Sequence, residues 1–255
     1  MTSGPAAVEA RNLSKEFDGR TVVDRISFAV PRGTTVGLLG ANGAGKTTTI
    51  LMLLGLLRPD RGEARVLGHD MEHDRFRALQ RANFSSPYVS LPHRLTARQN
   101  LTVYGRLYGV ADVRRRIEHI ARELRIEDLL DRPVGQMSAG QKTRVGIGKV
   151  LLNNPEVLFL DEPTASLSPE SATWLRSFLG RYRDSTRATI VLASHNMPEV
   201  EAMCDSVAFL QQGRLLEQGA PRELIRRHGK QTLEQVFLEV AEAASDQQRG
   251  SGVDA

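Results

Sequence analysis

One cysteine, Cys204, stands among 255 residues. It closes no internal disulfide and builds no cysteine-rich zinc site, which suits a reducing compartment and leaves a small apolar side chain for the core. Long apolar runs are missing too: the longest, Ile50 to Leu57, falls far short of the roughly 20 residues that span a bilayer. The opening MTSGPAAVEA has neither the basic nor the apolar region of a signal peptide. Charge of one sign is scarce, since 34 basic and 30 acidic residues leave a formal +4, and so small and dispersed a surplus gives little reason to expect a nucleic-acid partner. No internal repeat recurs, and no low-complexity block is long enough to link independent domains. These absences predict a soluble, cytoplasmic chain folded as one composite domain.

What is present is a core. Forty per cent of the residues are hydrophobic, enough for one large domain. Strand-like runs at Val8 to Leu13, Val22 to Val30 and Thr35 to Leu39 lead into a glycine loop and an apolar helix pattern through Leu57, an α/β beginning. From about Ser85 to Gly135 the strands stop, and RRRIEHIARELRIEDL sets Ile117, Ile120, Ala121 and Leu124 on one helical face, as expected of a helical insert. The run Arg114 to Arg116 reads as the solvated side of that helix. Strand and helix alternation then resumes with VLFLDEP, a helix from about Pro169 to Arg183, ATIVLASH and a strand at Val207 to Leu210, so the α/β core flanks the insert. Near the end, Leu233, Val236, Phe237, Val240 and Ala241 form an amphipathic stripe.

Three stretches carry chemistry. GANGAGKTTT, Gly40 to Thr49, matches G-x-x-x-x-G-K-T between an expected strand and helix. Its glycines let the backbone wrap a phosphate, amides from Asn42 to Thr48 can point inward at the helix start, Lys46 can reach the outer phosphates, and the Thr47 hydroxyl can ligate magnesium. VLFLDEP delivers Asp161 and Glu162 to the carboxyl edge of a buried strand, where ligands of α/β sheets bind. There Asp161 can hold magnesium through water, and Glu162 can accept a proton from an attacking water. ATIVLASH brings His195 to the same edge, within reach of a terminal phosphate. Phe17 in SKEFDGR is open to two readings, adenine stacking or core packing.

A second helix start, MSAGQKTR at residues 137–144, lies well beyond the phosphate loop. These elements, in this order and with MSAGQ ahead of VLFLDEP, resemble the nucleotide-binding domain of ATP-binding cassette (ABC) proteins from about Val8 to Leu238. The resemblance implies an α/β P-loop NTPase (RecA-like) core, with a helical subdomain inserted before the signature motif and an antiparallel β part at the N-terminus. On that pattern residues 1–230 are the ATPase domain with the insert at about 85–153, residues 231–244 a C-terminal helix, and 245–255 a disordered tail. It further implies an ATPase using ATP and Mg2+. Phe17 would stack the adenine, and the loop Gly40, Ala41, Asn42, Gly43, Ala44, Gly45, Lys46, Thr47 and Thr48 would hold the phosphates. Thr47 and Asp161 would take the metal, while Glu162, His195 and Lys46 would serve catalysis. Ser138, Ala139, Gly140 and Gln141 would be the signature motif, acting in trans on ATP held by a second cassette in a homodimer or heterodimer.

The ending TLEQVFLEV also resembles that of drug-resistance-type exporter ATPases. This implies a separate membrane permease, a cytoplasmic location peripheral to the inner face of the cell membrane, and export. Three departures stand out: Ala139 where the family has glycine, Ser168 where its D-loop has aspartate, and Ser85, Ser86 and Pro87 where a glutamine sensor is expected. A non-transport cassette acting on nucleic acid or the ribosome is the competing reading; a single cassette, a short insert and one cysteine favour transport without nucleic acid. A binding module with a dead site is a third, opposed by Lys46, Asp161, Glu162 and His195.

Overall fold

The computed structural model describes residues 6–86 and 91–250, with side chains to residue 246; Pro87 and the final residues 251–255 lie outside them. The described residues fall into two compact units. Those of Met1–Ala78 and Val191–Ala255 form one, and those of Leu79–Ile190 the other.

The first unit opens with β1 (Ala6–Phe17) and β2 (Arg20–Pro31), antiparallel partners. Asp18 and Gly19, with φ of 49° and 77°, turn between them, and two left-handed residues are what a two-residue hairpin with matching twist requires. Along β2, Ile26, Phe28 and Val30 are buried while Arg25, Ser27 and Ala29 are exposed, the period of two of a strand with one face on a core. Then come β3 (Thr35–Leu39), α1 (Lys46–Leu53), β4 (Arg61–Val66), β5 (His69–Asp70) and α2 (Arg75–Leu79). An antiparallel sheet runs in the order β2-β1-β4-β5. The apolar pattern to Leu57 predicts a longer α1. It ends at Leu53 because Gly55, at φ 63°, reverses the chain, and the amides of Leu56 and Leu57 both donate to Leu51 O, closing the helix end.

The second unit contains β6 (Ala82–Ser85), α3 (Ala97–Leu107), α4 (Val113–Leu124), α5 (Ala139–Val150), β7 (Val157–Asp161) and α6 (Pro169–Thr186). Strands β6 and β7 pair in parallel, and α3, α4 and α5 pack on one another. Ile117, Ile120, Ala121 and Leu124 are the buried face of α4, as the periodicity predicts. Arg114 and Arg115 are exposed, but Arg116 departs from the solvated-face reading. Its guanidinium donates to Leu151 O and Leu152 O, satisfying carbonyls at the end of α5 that no helical amide reaches.

Strand β8 (Thr189–Ser194) carries the chain from the second unit back to the first, which closes with α7 (Met197–Met203), β9 (Ser206–Gln211), β10 (Arg214–Gly219), α8 (Pro221–Arg227) and α9 (Leu233–Gly250). Strand β9 pairs in parallel with β3 and antiparallel with β10. All five residues of β3 are buried, which is why the segment reads as a continuous apolar run. In α9, Leu233, Val236 and Ala241 are buried, and Phe237 meets Phe209 edge-on at 5.4 Å. The helix continues to Gly250, past the 231–244 span read from the sequence. Among the described residues, no helix is long and apolar enough to cross a membrane.

Candidate nucleotide-binding site

In the first unit, the loop Gly40–Gly45 joins β3 to α1. A Cβ on Gly40 would lie 2.2 Å from Leu210 O, and Gly45 holds φ 97° with a virtual Cβ 2.8 Å from Val22 O. Both places accept only glycine without backbone movement. The loop is tied down by Gly213 N donating to Ala44 O at 3.2 Å, while Asp24 N donates to Gly213 O at 2.7 Å. Lys46 is 6% exposed, and its ammonium donates to Gly40 O at 2.6 Å and Ala41 O at 3.2 Å. The lysine is thus folded back over the loop it follows.

Helix α1 starts at Gly45 with no side-chain cap. Side chains of Thr96, Asp112, Ser138, Ser168 and Asn196 cap α3 to α7 in turn. A glycine-started helix beside a buried lysine sets the positive end of a helix and a cation at the loop, which favours an anion there. An open groove of about 1020 Å3 runs along the loop past Ala41, Asn42, Gly43 and Ala44, bordered by Arg20 and Gln212. Asp24 also lines it; its hydrogen bond from Arg25, aided by Arg214, holds its carboxyl below the usual carboxylate range.

Phe17 ends β1 and is 44% exposed, which removes the core reading and leaves a ring face available to a ligand. Lys15 Nζ stands 5.5 Å from the ring centroid. His195, immediately after β8, is exposed, and Asn196 beside it caps α7 by accepting from Glu199 N at 3.2 Å.

In the second unit, β7 is buried along its whole length, and Asp161 is 2% exposed. Glu162 follows at φ 48°, a left-handed conformation that costs a non-glycine residue on the order of 1–2 kcal/mol and swings its side chain out of the strand's alternation. Asp161 and Glu162 both line a cavity of about 240 Å3 with Ser85, Ser86 and Ala139. The serines that stand where glutamine was expected therefore face the same space as the two carboxylates. Ser138 starts α5 with a capping box: Gln141 N donates to its Oγ at 3.3 Å, and Ser138 N donates to Gln141 Oε1 at 2.9 Å. Ser138 and Ala139 are exposed, so the helix start is presented outward. Ser168 caps α6 by accepting from Ser171 N at 3.4 Å, a task serine and aspartate share.

Sequence reading missed Lys149. It lies on α5, 7% exposed, lines the same cavity as Glu162, and burial pushes its ammonium pKa below the usual lysine value.

A parallel-strand core with a glycine loop, a buried lysine at a helix start and a buried acidic strand end defines a P-loop nucleotide hydrolase. The family described as "ABC transporter" matches residues 23–165. "Nod factor export ATP-binding protein I" of Ralstonia nicotianae is 38% identical over 224 residues, covering 86% of this chain and 68% of that protein. The protein so described from Rhizobium sp. (strain N33) is 37% identical over 237 residues, covering 89% and 76%. A solved "ATP binding subunit of ABC transporter" matches with a TM-score of 0.84 at 28% identity, covering 92% of this chain and 99% of its own. CbiO1 from Clostridium perfringens, described as part of the transporter complex cbiONQ, matches at 0.78 and 28%, covering 88% and 92%. The chain belongs to the ABC transporter family and is an ATP-binding ATPase of that family.

Proposed function

We propose that the chain is the ATP-hydrolysing subunit of an exporter, working as a pair of cassettes against a separate membrane permease at the inner face of the cell membrane. The export reading is supported by relatives described as Nod factor export ATP-binding proteins, and the permease by the relative described as part of a transporter complex. The observation that carries the ATP site is Lys46, buried and anchored to Gly40 O and Ala41 O beneath an uncapped helix start.

In this reading Lys46 and the loop amides bind the outer phosphates, and Phe17 stacks on the adenine. Thr47 and Asp161 would be the Mg2+ ligands, and the ion would supply positive charge against the outer phosphates; a hydroxyl and a carboxylate are the oxygen donors this hard cation takes. Glu162 removes a proton as water attacks the γ-phosphorus and the bond to ADP breaks. His195 contacts the terminal phosphate. Ser138 and the amides at the start of α5 meet the phosphate of ATP held by the partner cassette, so ATP joins the two chains. Hydrolysis loosens the pair, and the permease senses that change. Calorimetry on Lys46→Ala tests the assignment: ATP affinity falls steeply if the lysine supplies the point charge, and unchanged affinity would remove the site.

A further inference from the structure

We propose that Asp24 and Arg214 are positioning residues for nucleotide binding: their ion pair seats the turn between β9 and β10 against the phosphate loop, and so sets the affinity for ATP. The inference rests on the reading of Gly40–Gly45 as the loop that holds the phosphates. Gln212 and Gly213, at φ 47° and 77°, make that turn, and Gly213 is buried. Three backbones meet there with no side chain between them. A Cβ on Gly213 would stand 2.4 Å from Val22 O and 3.0 Å from Val23 Cα, and one on Gly45 would stand 2.8 Å from Val22 O and 3.6 Å from Gly213 Cα. Gly213 also uses both of its backbone polar groups at this junction, accepting from Asp24 N at 2.7 Å and donating to Ala44 O at 3.2 Å. The turn therefore braces the loop, and β2 holds the turn.

Arg214 Nε donates to Asp24 Oδ2 at 2.9 Å. One residue of β2 thus holds Gly213 by its amide and the residue after the turn by its carboxylate. The Asp24 side chain is 20% exposed and that of Arg214 51%, and so open a pair contributes little to folding. Positioning is more demanding, because the loop must hold its amides within about 0.5 Å of the geometry that meets a phosphate. The effect of the pair should therefore be read in affinity rather than in stability. Arg25 Nε takes the other carboxylate oxygen, Asp24 Oδ1, at 3.0 Å. That bond lies within β2 and does not reach the turn, so Arg25 serves as the control.

Asp24 and Arg214 also line the groove, so direct electrostatic action on the nucleotide is the rival account, and the sign of one effect separates the two. ATP is a polyanion. Removing a carboxylate in Asp24→Ala strengthens its binding if the field alone acts, whereas loss of positioning weakens it. With the full chain, calorimetry should show Asp24→Ala and Arg214→Met each weakening ATP binding ~5-fold or more. The double variant should lose no more than the larger single loss, and Arg214→Lys should recover most of it. In turnover, KM for ATP should rise by more than kcat falls, while the urea midpoint hardly moves. Arg25→Met should bind ATP as the wild type does. Unchanged or tighter binding in Asp24→Ala, additive losses in the double variant, an equal loss in Arg25→Met, or a loss of affinity matched by a loss of folded protein would overturn the proposal. Unchanged affinity in Lys46→Ala would instead remove the phosphate-loop reading, a separate outcome.

Discussion

Gly45→Ala should damage the phosphate loop by two separable effects, and Gly43→Ala by only one. Gly45 holds φ 97° and Gly43 φ 81°, so alanine at either place pays the left-handed penalty of roughly 1–2 kcal/mol. At Gly45 the new Cβ would also stand 2.8 Å from Val22 O and 3.3 Å from Val23 Cγ2. The first neighbour is strand backbone and has no rotamer to move to, so β2 or the loop must shift, which adds roughly 1–3 kcal/mol. At Gly43 nothing lies within 4 Å. We expect Gly45→Ala to lose about 2–5 kcal/mol in urea unfolding and Gly43→Ala about 1–2 kcal/mol. ATP affinity by calorimetry should follow, falling ~10-fold or more further in Gly45→Ala than in Gly43→Ala, since 1.4 kcal/mol is a factor of ten. Equal losses would refute the steric argument and leave backbone conformation as the whole cause.

Glu162→Gln should retain ATP binding and slow hydrolysis by roughly 100-fold or more, read as turnover at saturating MgATP; full activity would place the base elsewhere. Ser86→Gln, at a buried position lining the Glu162 cavity, should change basal turnover if the missing glutamine matters, and an unchanged rate would mean the sensor is dispensable. Arg116→Met should cost roughly 1–3 kcal/mol in thermal or urea unfolding, because Leu152 O loses its Arg116 donor and Leu151 O keeps only the Asn154 amide, at 3.2 Å. Asp24 titrates below its unfolded value, so its contribution is present above the ordinary carboxylate pKa and is lost as pH falls through the folded one. Asp24→Asn should therefore flatten the acid side of a stability-versus-pH curve, and an unaltered curve would mean that Arg25 and Arg214 contribute nothing through it.

The continuously buried strands were the most legible elements. Thr35–Leu39 was read with its observed bounds, and VLFLD is buried at every residue, because two-sided burial leaves an uninterrupted apolar run. The glycine loop was legible for a local reason: its conformational demands at Gly40 and Gly45 lie within the loop's own spacing. The short strands β4, β5 and β6 went unassigned, since strands of 6, 2 and 4 residues hold too few side chains to display a period. Lys149 and Arg116 escaped for another reason. Each reads as a surface charge on its own helix, and only packing against Tyr104 or the end of α5 buries it. Phe17 could not be resolved from sequence because the end of a strand gives no signal of which face meets solvent.

The central claim is that ATP is hydrolysed between the phosphate loop of one chain and the Ser138 helix start of another. Ser138 and Ala139 are exposed, and Gly140 has room for a Cβ, its nearest neighbour being Leu167 Cδ2 at 3.5 Å, so this chain's own packing does not demand that sequence. The direct measurement is ATP turnover of Lys46→Ala and Ser138→Arg, separately and mixed, with the proposed permease added if turnover requires it. Each variant alone lacks an intact site in every pair. In an equimolar mixture half the pairs are mixed and carry one intact site of two, so turnover should recover to about a quarter of wild type. Turnover that stays at the level of the separate variants, or loss of ATP binding by isolated Ser138→Arg, would contradict the shared site.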